Sequence, residues 1–506
     1  YQGDPIWFQC YVVTSEFNQP TAWSKTLYVE LLNPGGEIVS RQILPIRNGR
    51  CQGNFTLTQL PFYSGFYEVR AYTKYMLNFG EEIIFSRVLP VFDKPANPGE
   101  YKEKNIQKYA VYKYPQTRKK AMKAKKVNLK FFPEGGNLVK GVPSQVAFEA
   151  TDAYGNPITL FGRIINRRKE EIGHFATIHE GRGVFTYIPT GEDADKAEVE
   201  LGGKKYRFDL PEVCSQGYVL HVDNLTSEDS IAVSVQKNTY TPSNLLGLAV
   251  IAHGKLLNSC LLNVGKNTPV SFKLDKSEWT PGVVQLVLFD TAGQIIADRL
   301  VFTRKPELLA VDVRKSKESY QPFERVTLDF SVRDTTGNPV SAPMSVSIRD
   351  GWEEVESRHS MLVDLLLMSE IKGYVHRPLY YFEVNDMEHR LALDCLLMVQ
   401  GWRRYKWKYA AGVEPFELKY MPEQGIEVHG QVVSFVRGKP KPNMQVSSFL
   451  AKRGEEEISS GMTSFGLLET DSLGRFAFIT NIEGKWNLIL SVMEKGKKKD
   501  CRIILD

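Results

Sequence analysis

Asp152-Ala153-Tyr154-Gly155-Asn156-Pro157 and Asp334-Thr335-Thr336-Gly337-Asn338-Pro339 share one pattern and stand 182 residues apart. In each, Asp caps its own turn, Gly takes the position that needs φ > 0, and Pro blocks continuation into a central strand. Looser relatives stand at Asn33–Glu37, Asp290–Gln294 and Asp471–Arg475. Strand-like runs flank the first turn, Gln145–Thr151 before it and Ile158–Ile165 after it. A turn signal recurring once per small β segment predicts a string of similar β domains. Such strings bind, span or hold more often than they catalyse.

The 506 residues are too many for one core and suggest about three to five domains. Aromatics at 11% and charged residues at 24% describe a folded chain. No apolar run approaches the roughly 20 residues that span a bilayer. Tyr1 opens directly in strand-like sequence without a signal peptide, so the sequence reads as a trimmed piece whose start says nothing about localisation.

The net charge of +5 is unevenly spread: Lys94–Lys126 holds eleven Lys and Arg against Glu100 and Glu103. This stretch reads as a solvated basic linker, or as a contact for anionic lipid headgroups or surface polysaccharide. No nucleic-acid-binding motif accompanies it. Cys10, Cys51, Cys214, Cys260, Cys395 and Cys501 are scattered without a CxxC spacing. Cys10 and Cys51 fall in one module, either bridging two strands or standing as buried free thiols.

Alternation and turn signals divide the chain into a β-sandwich at 1–93, the linker at 94–126, sandwiches at 127–212, 217–304 and 305–424, and a last β domain at 425–506. The β pattern breaks at 353–407. Val355, Met361, Leu362, Leu365, Leu366 and Met368 fit a helical stripe, and Leu391, Cys395, Leu396 and Met398 repeat it. Glu353–Glu370 and Met387–Gln400 are therefore predicted helices, inserted into the fourth sandwich. The expected fold class is all-β: tandem Ig-like sandwiches with one helical insertion.

Several stretches together resemble a known group. Tyr1-Gln2-Gly3-Asp4-Pro5-Ile6-Trp7-Phe8, Phe131-Phe132-Pro133-Glu134-Gly135-Gly136 and the repeat turns look like macroglobulin-type domains of α2-macroglobulin-like proteins. Ser369–Tyr374, Pro378–Phe382 and Leu393–Tyr405 are similar to large envelope proteins of Bacteroidetes. Gly425 onward resembles a carboxypeptidase regulatory-like (transthyretin-like) module, which in that group often precedes a TonB-receptor plug. The resemblance implies macroglobulin-type sandwiches, export, and residence in the periplasm or at the outer-membrane surface. It brings no catalytic mechanism. None of the six cysteines is followed by Gly, so the Cys-Gly-Glu-Gln thioester of protease-trapping macroglobulins is missing.

His174 and His179 are five apart on strand-like sequence, which sends them to opposite faces and away from a shared metal. No Gly-x-Ser-x-Gly elbow, Cys–His pairing or phosphate loop stands out. The expectation is no enzyme, no metal and no cofactor. One concentration of side chains remains: Tyr374, Tyr380, Tyr381, Trp402, Arg403, Arg404, Tyr405 and Trp407. Aromatic faces and forked Arg donors suit a partner protein, a peptide or a glycan. The same residues also suit stapling helices onto a sandwich. The resemblance further implies O-glycosylation at Asp-Ser/Thr motifs, which places Ser230, Thr291, Thr335 and Ser472 as acceptors. The functional expectation is a non-enzymatic envelope protein that binds or positions a partner protein. The alternative is an accessory that captures oligosaccharide or peptide for TonB-dependent uptake.

Overall fold

Alternating side chains give a strand two faces, and an apolar face needs a second layer to cover it. The computed structural model describes residues 1–21, 23–57, 64–94, 97, 127–153, 155–191, 195–242, 245–265, 269–305, 309–348, 359–400, 407–410, 412, 414–452, 462–484, 486–494, 497–498 and 501–505. Near the start, β1 (Pro5–Tyr11) pairs with β4 (Arg50–Thr56). The facing sheet joins β2 (Thr26–Leu32), β3 (Ile38–Pro45), β5 (Gly65–Tyr72) and β6 (Phe85–Val91) in the order β3-β2-β5-β6. Leu27, Val29 and Leu31 alternate inward onto Phe55 and Tyr67.

The next nine strands are β7 (Asn128–Pro133), β8 (Leu138–Val139), β9 (Ser144–Thr151), β10 (Phe161–Ile165), β11 (Glu171–Ala176), β12 (Arg182–Tyr187), β13 (Lys196–Leu201), β14 (Lys204–Asp209) and β15 (Val213–Cys214). They form the sheets β12-β9-β7 and β11-β10-β13-β14, with a parallel pair β8–β15. Then come β16 (Tyr218–Asp223), β17 (Ser230–Lys237), β18 (Leu245–Ala252), β19 (Lys255–Asn263), β20 (Val270–Asp275), β21 (Gly282–Phe289) and β22 (Ile295–Thr303). Here β16-β17-β20 faces β19-β18-β21-β22 around one core. A single hairpin follows, β23 (Leu309–Lys315) with β24 (Leu328–Asp334). The last strands are β25 (Ile426–Ser434), β26 (Gln445–Lys452), β27 (Met462–Glu469), β28 (Arg475–Thr480), β29 (Trp486–Glu494), β30 (Lys497–Lys498) and β31 (Cys501–Leu505). They make β28-β25-β31 and β27-β26-β29-β30. The fold is all-β, as the alternation predicted.

Among the described residues the repeat turn is one device used six times. In five copies Oδ1 of the leading Asn or Asp accepts the backbone N–H two and four residues on: Asn33, Asn166, Asp290, Asp334 and Asp471. Asp152 accepts from Asn156 N at 2.9 Å. The fourth residue has positive φ in all six: Gly36, Gly155, Lys169, Gly293, Gly337 and Gly474. The Asn166 copy escaped the sequence because Lys169 stands where Gly was expected. After the first turn the chain makes one bridge, Thr151↔Pro157, and the strand resumes only at Phe161 rather than at Ile158. Pro removes the donor that a continued ladder would need. After Pro339, residues 341–348 carry no strand, although Met344–Arg349 alternates like one.

Two compact units emerge, Tyr1–Lys113 with Phe416–Asp506, and Tyr114–Pro415. Within the first, Asn78 grips the segment before β25. Its Oδ1 accepts from Lys419 N and Tyr420 N (2.8 Å each), and its Nδ2 donates to Tyr420 O at 2.7 Å. Phe79 stacks on Phe416 at 5.2 Å, and Lys25 N donates to Glu423 O.

Within the second unit, β18 and β21 are buried on nearly every residue, the mark of a strand covered on both faces. One cover is the β16-β17-β20 sheet. The other is the helical insertion: a turn at Met361–Val363 capped by the Ser360 side chain and continued at Asp364–Met368, a short helix Tyr380–Glu383, and a long helix Met387–Val399. Leu366, Leu367, Tyr381, Leu393, Leu396 and Leu397 share one core with Val283 of β21 and Leu300 and Phe302 of β22. The sequence attached these helices to the fourth module, whereas their apolar stripe lies on the third. An amphipathic stripe states that a face is buried, not what buries it.

Candidate partner surface

The long helix begins at Asp386, whose side chain accepts from His389 N at 2.9 Å. The helix directs Asp394 toward β22, where Arg299 waits. Arg299 Nη2 lies 2.6 Å from Asp394 Oδ2, and its Nε lies 2.9 Å from Glu134 Oε1. Glu134 belongs to the Pro133-Glu134-Gly135-Gly136 turn after β7. Its Oε2 meets His221 Nδ1 of β16 at 2.7 Å, and its Oε1 also accepts from Val222 N at 3.1 Å. Gly135, with φ +75, lets the turn approach: an added Cβ would sit 3.0 Å from the Ala297 side chain. The network thus joins four stretches of chain: the turn after β7, β16, β22 and the long helix.

Its electrostatics follow from burial. Desolvation alone would raise the Glu134 carboxyl, but the His221 hydrogen bond and the Arg299 charge hold it below its ordinary value. The same bond raises His221. Asp394 is pushed upward by burial, with Arg299 only partly opposing. Asp394 Oδ1 has no hydrogen-bond partner. Arg299 and Glu134 side chains are each only 2% exposed, so no substrate can reach them. The network is a clasp between sheet and helix, with His221, 47% exposed, at its outer end.

The aromatic concentration divides by burial. Tyr380 stacks between His179 (3.7 Å, interplanar 5°) and His389 (4.4 Å), and its hydroxyl donates to Glu388 Oε1. Tyr381 is wholly buried beneath them, so it presents no surface, and its place in a partner site is corrected to a place in the core. Trp407 donates Nε1–H to Gly293 O at 2.9 Å and packs on Phe289 at 4.8 Å, closing over Ala249, Ile251 and Val287. These three staple the insertion to the sheets. Tyr374 stands exposed. Trp402, Arg403, Arg404 and Tyr405 lie outside the described residues. His376 Nδ1 meets Glu180 Oε1 at 2.9 Å, a further tie between insertion and β12 hairpin.

Among the proposed glycan acceptors, Thr291, Thr335 and Ser472 occupy the same exposed place, next after the capping Asp of the repeat turn. Ser230 differs. It opens β17 half-buried, with its Oγ 3.1 Å from Ser227 Oγ. His174 and His179 diverge, one stacked on Phe161 and the other on Tyr380. Among the described residues no three His, Cys, Asp or Glu side chains converge as a metal site.

The β23–β24 hairpin offers an open face. Register partners Val311↔Val332, Val313↔Phe330 and Lys315↔Leu328 put Leu309, Val311, Val313, Leu328, Phe330 and Val332 on one side. Asp312, Arg314, Asp329, Ser331 and Arg333 take the other. Val311 is 59% and Val313 49% exposed, values foreign to an inward sandwich face. Met344, Val346 and Ile348 alternate beyond it, also exposed. Sequence reasoning anticipated a closed sandwich here and so missed this face. The alternation was visible, but not that no layer of the described residues covers it.

No protein-family model matches the chain, and no curated protein does. Among solved structures it is similar to a mutant of Salmonella alpha-2-macroglobulin, at 10% identity and TM-score 0.17, over 99% of this chain and 38% of that one. It is similar to Escherichia coli alpha-2-macroglobulin activated by porcine elastase, at 9% identity and TM-score 0.18, over 99% and 43%. Domains 4–9 of the surface layer protein SbsC give 12% identity and TM-score 0.21, over 96% and 73%. The chain spans about two fifths of the length of those macroglobulins. The fold stands on the sheets described above.

Proposed function

We propose that this chain belongs to a non-enzymatic, multi-module protein of the bacterial cell envelope that holds a partner polypeptide. The observation that carries the reading is the amphipathic β23–β24 hairpin, whose apolar face is exposed among the described residues. A two-stranded sheet is marginal alone and gains most from a third strand or a covering layer. An extended partner segment with alternating apolar residues would supply both, its main chain adding to the outer edge of β23, which no described strand occupies, and its side chains covering Val311, Val313 and Phe330. The helical insertion then acts as scaffold, since Tyr380, Tyr381 and Trp407 spend their ring faces inside the unit. The envelope reading is supported by the motif resemblance. No described helix is long and apolar enough to cross a membrane.

Photo-crosslinking in the native envelope tests it. A crosslinking side chain at Val311 or Val313 should give one discrete adduct, and the same group at Asp312 or Arg314 should not. Equal labelling from both faces, or none from either, would count against the reading. An adduct to a short peptide would make the protein a peptide-capturing accessory instead.

A further inference from the structure

Cys10 and Cys51 are register partners in the β1–β4 pair. Directly opposite residues of antiparallel strands have Cα atoms about 4.5 or about 5.5 Å apart, according to the type of pair. A disulfide accepts about 4.4–6.8 Å, so either type fits. Opposite residues also point to one face. Here that face is the interior, where Cys51 joins Phe55 and Leu27 and Cys10 packs on the same cluster. The two thiols are hydrogen bonded to one another. That bond holds Cys10 below its ordinary value, while the same bond and burial push Cys51 up.

The other four cysteines are internal controls. Cys260 stands opposite Leu248, Cys501 opposite Ser434 and Cys214 opposite Val139, while Cys395 is buried in the long helix. Cys51 further lines a surface cleft with Gln9, Leu44, Arg47 and Arg50, which gives a small reagent an approach.

We propose that Cys10 and Cys51 form a disulfide that staples β1 to β4, made by exchange with a disulfide-bearing oxidant. The Cys10 thiolate attacks one sulfur of the oxidant and displaces a thiolate, leaving a mixed disulfide. The deprotonated Cys51 then attacks the Cys10 sulfur and displaces the second thiolate. Two protein thiols lose two protons and two electrons, and the oxidant's S–S bond is reduced to two thiols. The staple has a physical purpose. β1–β4 is a two-stranded sheet, and β2 and β3 lie within the loop that the bond closes, so the cross-link removes unfolded-state freedom from nearly half of the module.

The test uses the full chain, incubated with oxidised glutathione, unfolded, and alkylated with iodoacetamide. Four alkyl groups by intact mass, with a Cys10–Cys51 cross-linked peptide on non-reducing digestion, are expected. Six alkyl groups, or a cross-link between any other pair, overturns the proposal. A second measurement addresses the stapling. Reductant should lower one melting transition by roughly 10 °C or more, and the double variant Cys10→Ser, Cys51→Ser should melt alike with and without it. A disulfide that forms but leaves melting unchanged on reduction overturns the staple.

Discussion

Arg299 of β22 and Asp394 of the long helix meet at 2.6 Å inside the core of the second unit, with Glu134 on the other side of the guanidinium. Removing the cation leaves two buried carboxylates facing each other. Arg299→Met is therefore expected to cost about 3–5 kcal/mol by urea denaturation. Adding Glu134→Gln and Asp394→Asn to the same chain should recover part of that loss. A single variant within about 0.5 kcal/mol of the parent would show that the clasp is not holding the helices.

Two histidines of this unit should respond to pH with opposite signs. His221 is raised above 6.5 by its bond to Glu134. Its contribution is full below 6.5 and fades as pH rises through the higher folded value. His179 is lowered by burial beneath Tyr380. Its contribution is full above 6.5 and fades as pH falls toward the lower folded value. Urea midpoints across this range should lose their alkaline decline in His221→Gln and part of their acid decline in His179→Phe. The same profile in both variants and the parent would contradict this.

Burial separates the aromatic and apolar residues of the insertion into two classes. Leu396→Ala, at a wholly buried position against β21 and β22, should cost about 2–5 kcal/mol. Tyr374→Ala, on an exposed ring, should stay within about 0.5 kcal/mol. Denaturation of both variants gives the comparison directly, and equal losses would refute the assignment.

Glycines of the repeat turn share a backbone conformation but not surroundings. Gly337 has φ +88 and open space where a Cβ would go, so Gly337→Ala should cost only the backbone term, about 1–2 kcal/mol. At Gly474 the added Cβ would lie 2.7 Å from Val432 O and 2.8 Å from Lys441 N. Gly474→Ala should be the more damaging of the two in thermal melts, and the reverse order would exclude steric crowding as the cause.

Period-two alternation marked most of the strands, because a half-buried strand writes its faces into consecutive residues, but it also marked Met344–Ile348, which carries no strand. β17 shows this plainly, with Ile231, Val233 and Val235 inward. The helices were legible from their stripes, but not their partner sheet. The continuous apolar runs of β18 and β21 were the available clue, since a strand buried on both faces must be covered twice. The Arg299 clasp was also half-visible: Arg299 and Asp394 are charges inside apolar runs, which burial tolerates only when they pair. What sequence could not state was the direction of each aromatic ring. Tyr380 and Tyr381 are neighbours in the chain, yet one is sandwiched between imidazoles and the other sealed beneath.

The grip of Asn78 on Tyr420 has a consequence in time. The two residues are 342 positions apart, so a growing chain makes the first long before the second. At about 5–20 residues per second, roughly 20 to 70 seconds of synthesis separate them. Throughout that interval Asn78 Oδ1 lacks its Lys419 and Tyr420 donors, Phe79 lacks the Phe416 ring and Lys25 N lacks Glu423 O. A chain arrested before Phe416 should therefore be cleaved near Phe79 faster than the complete chain.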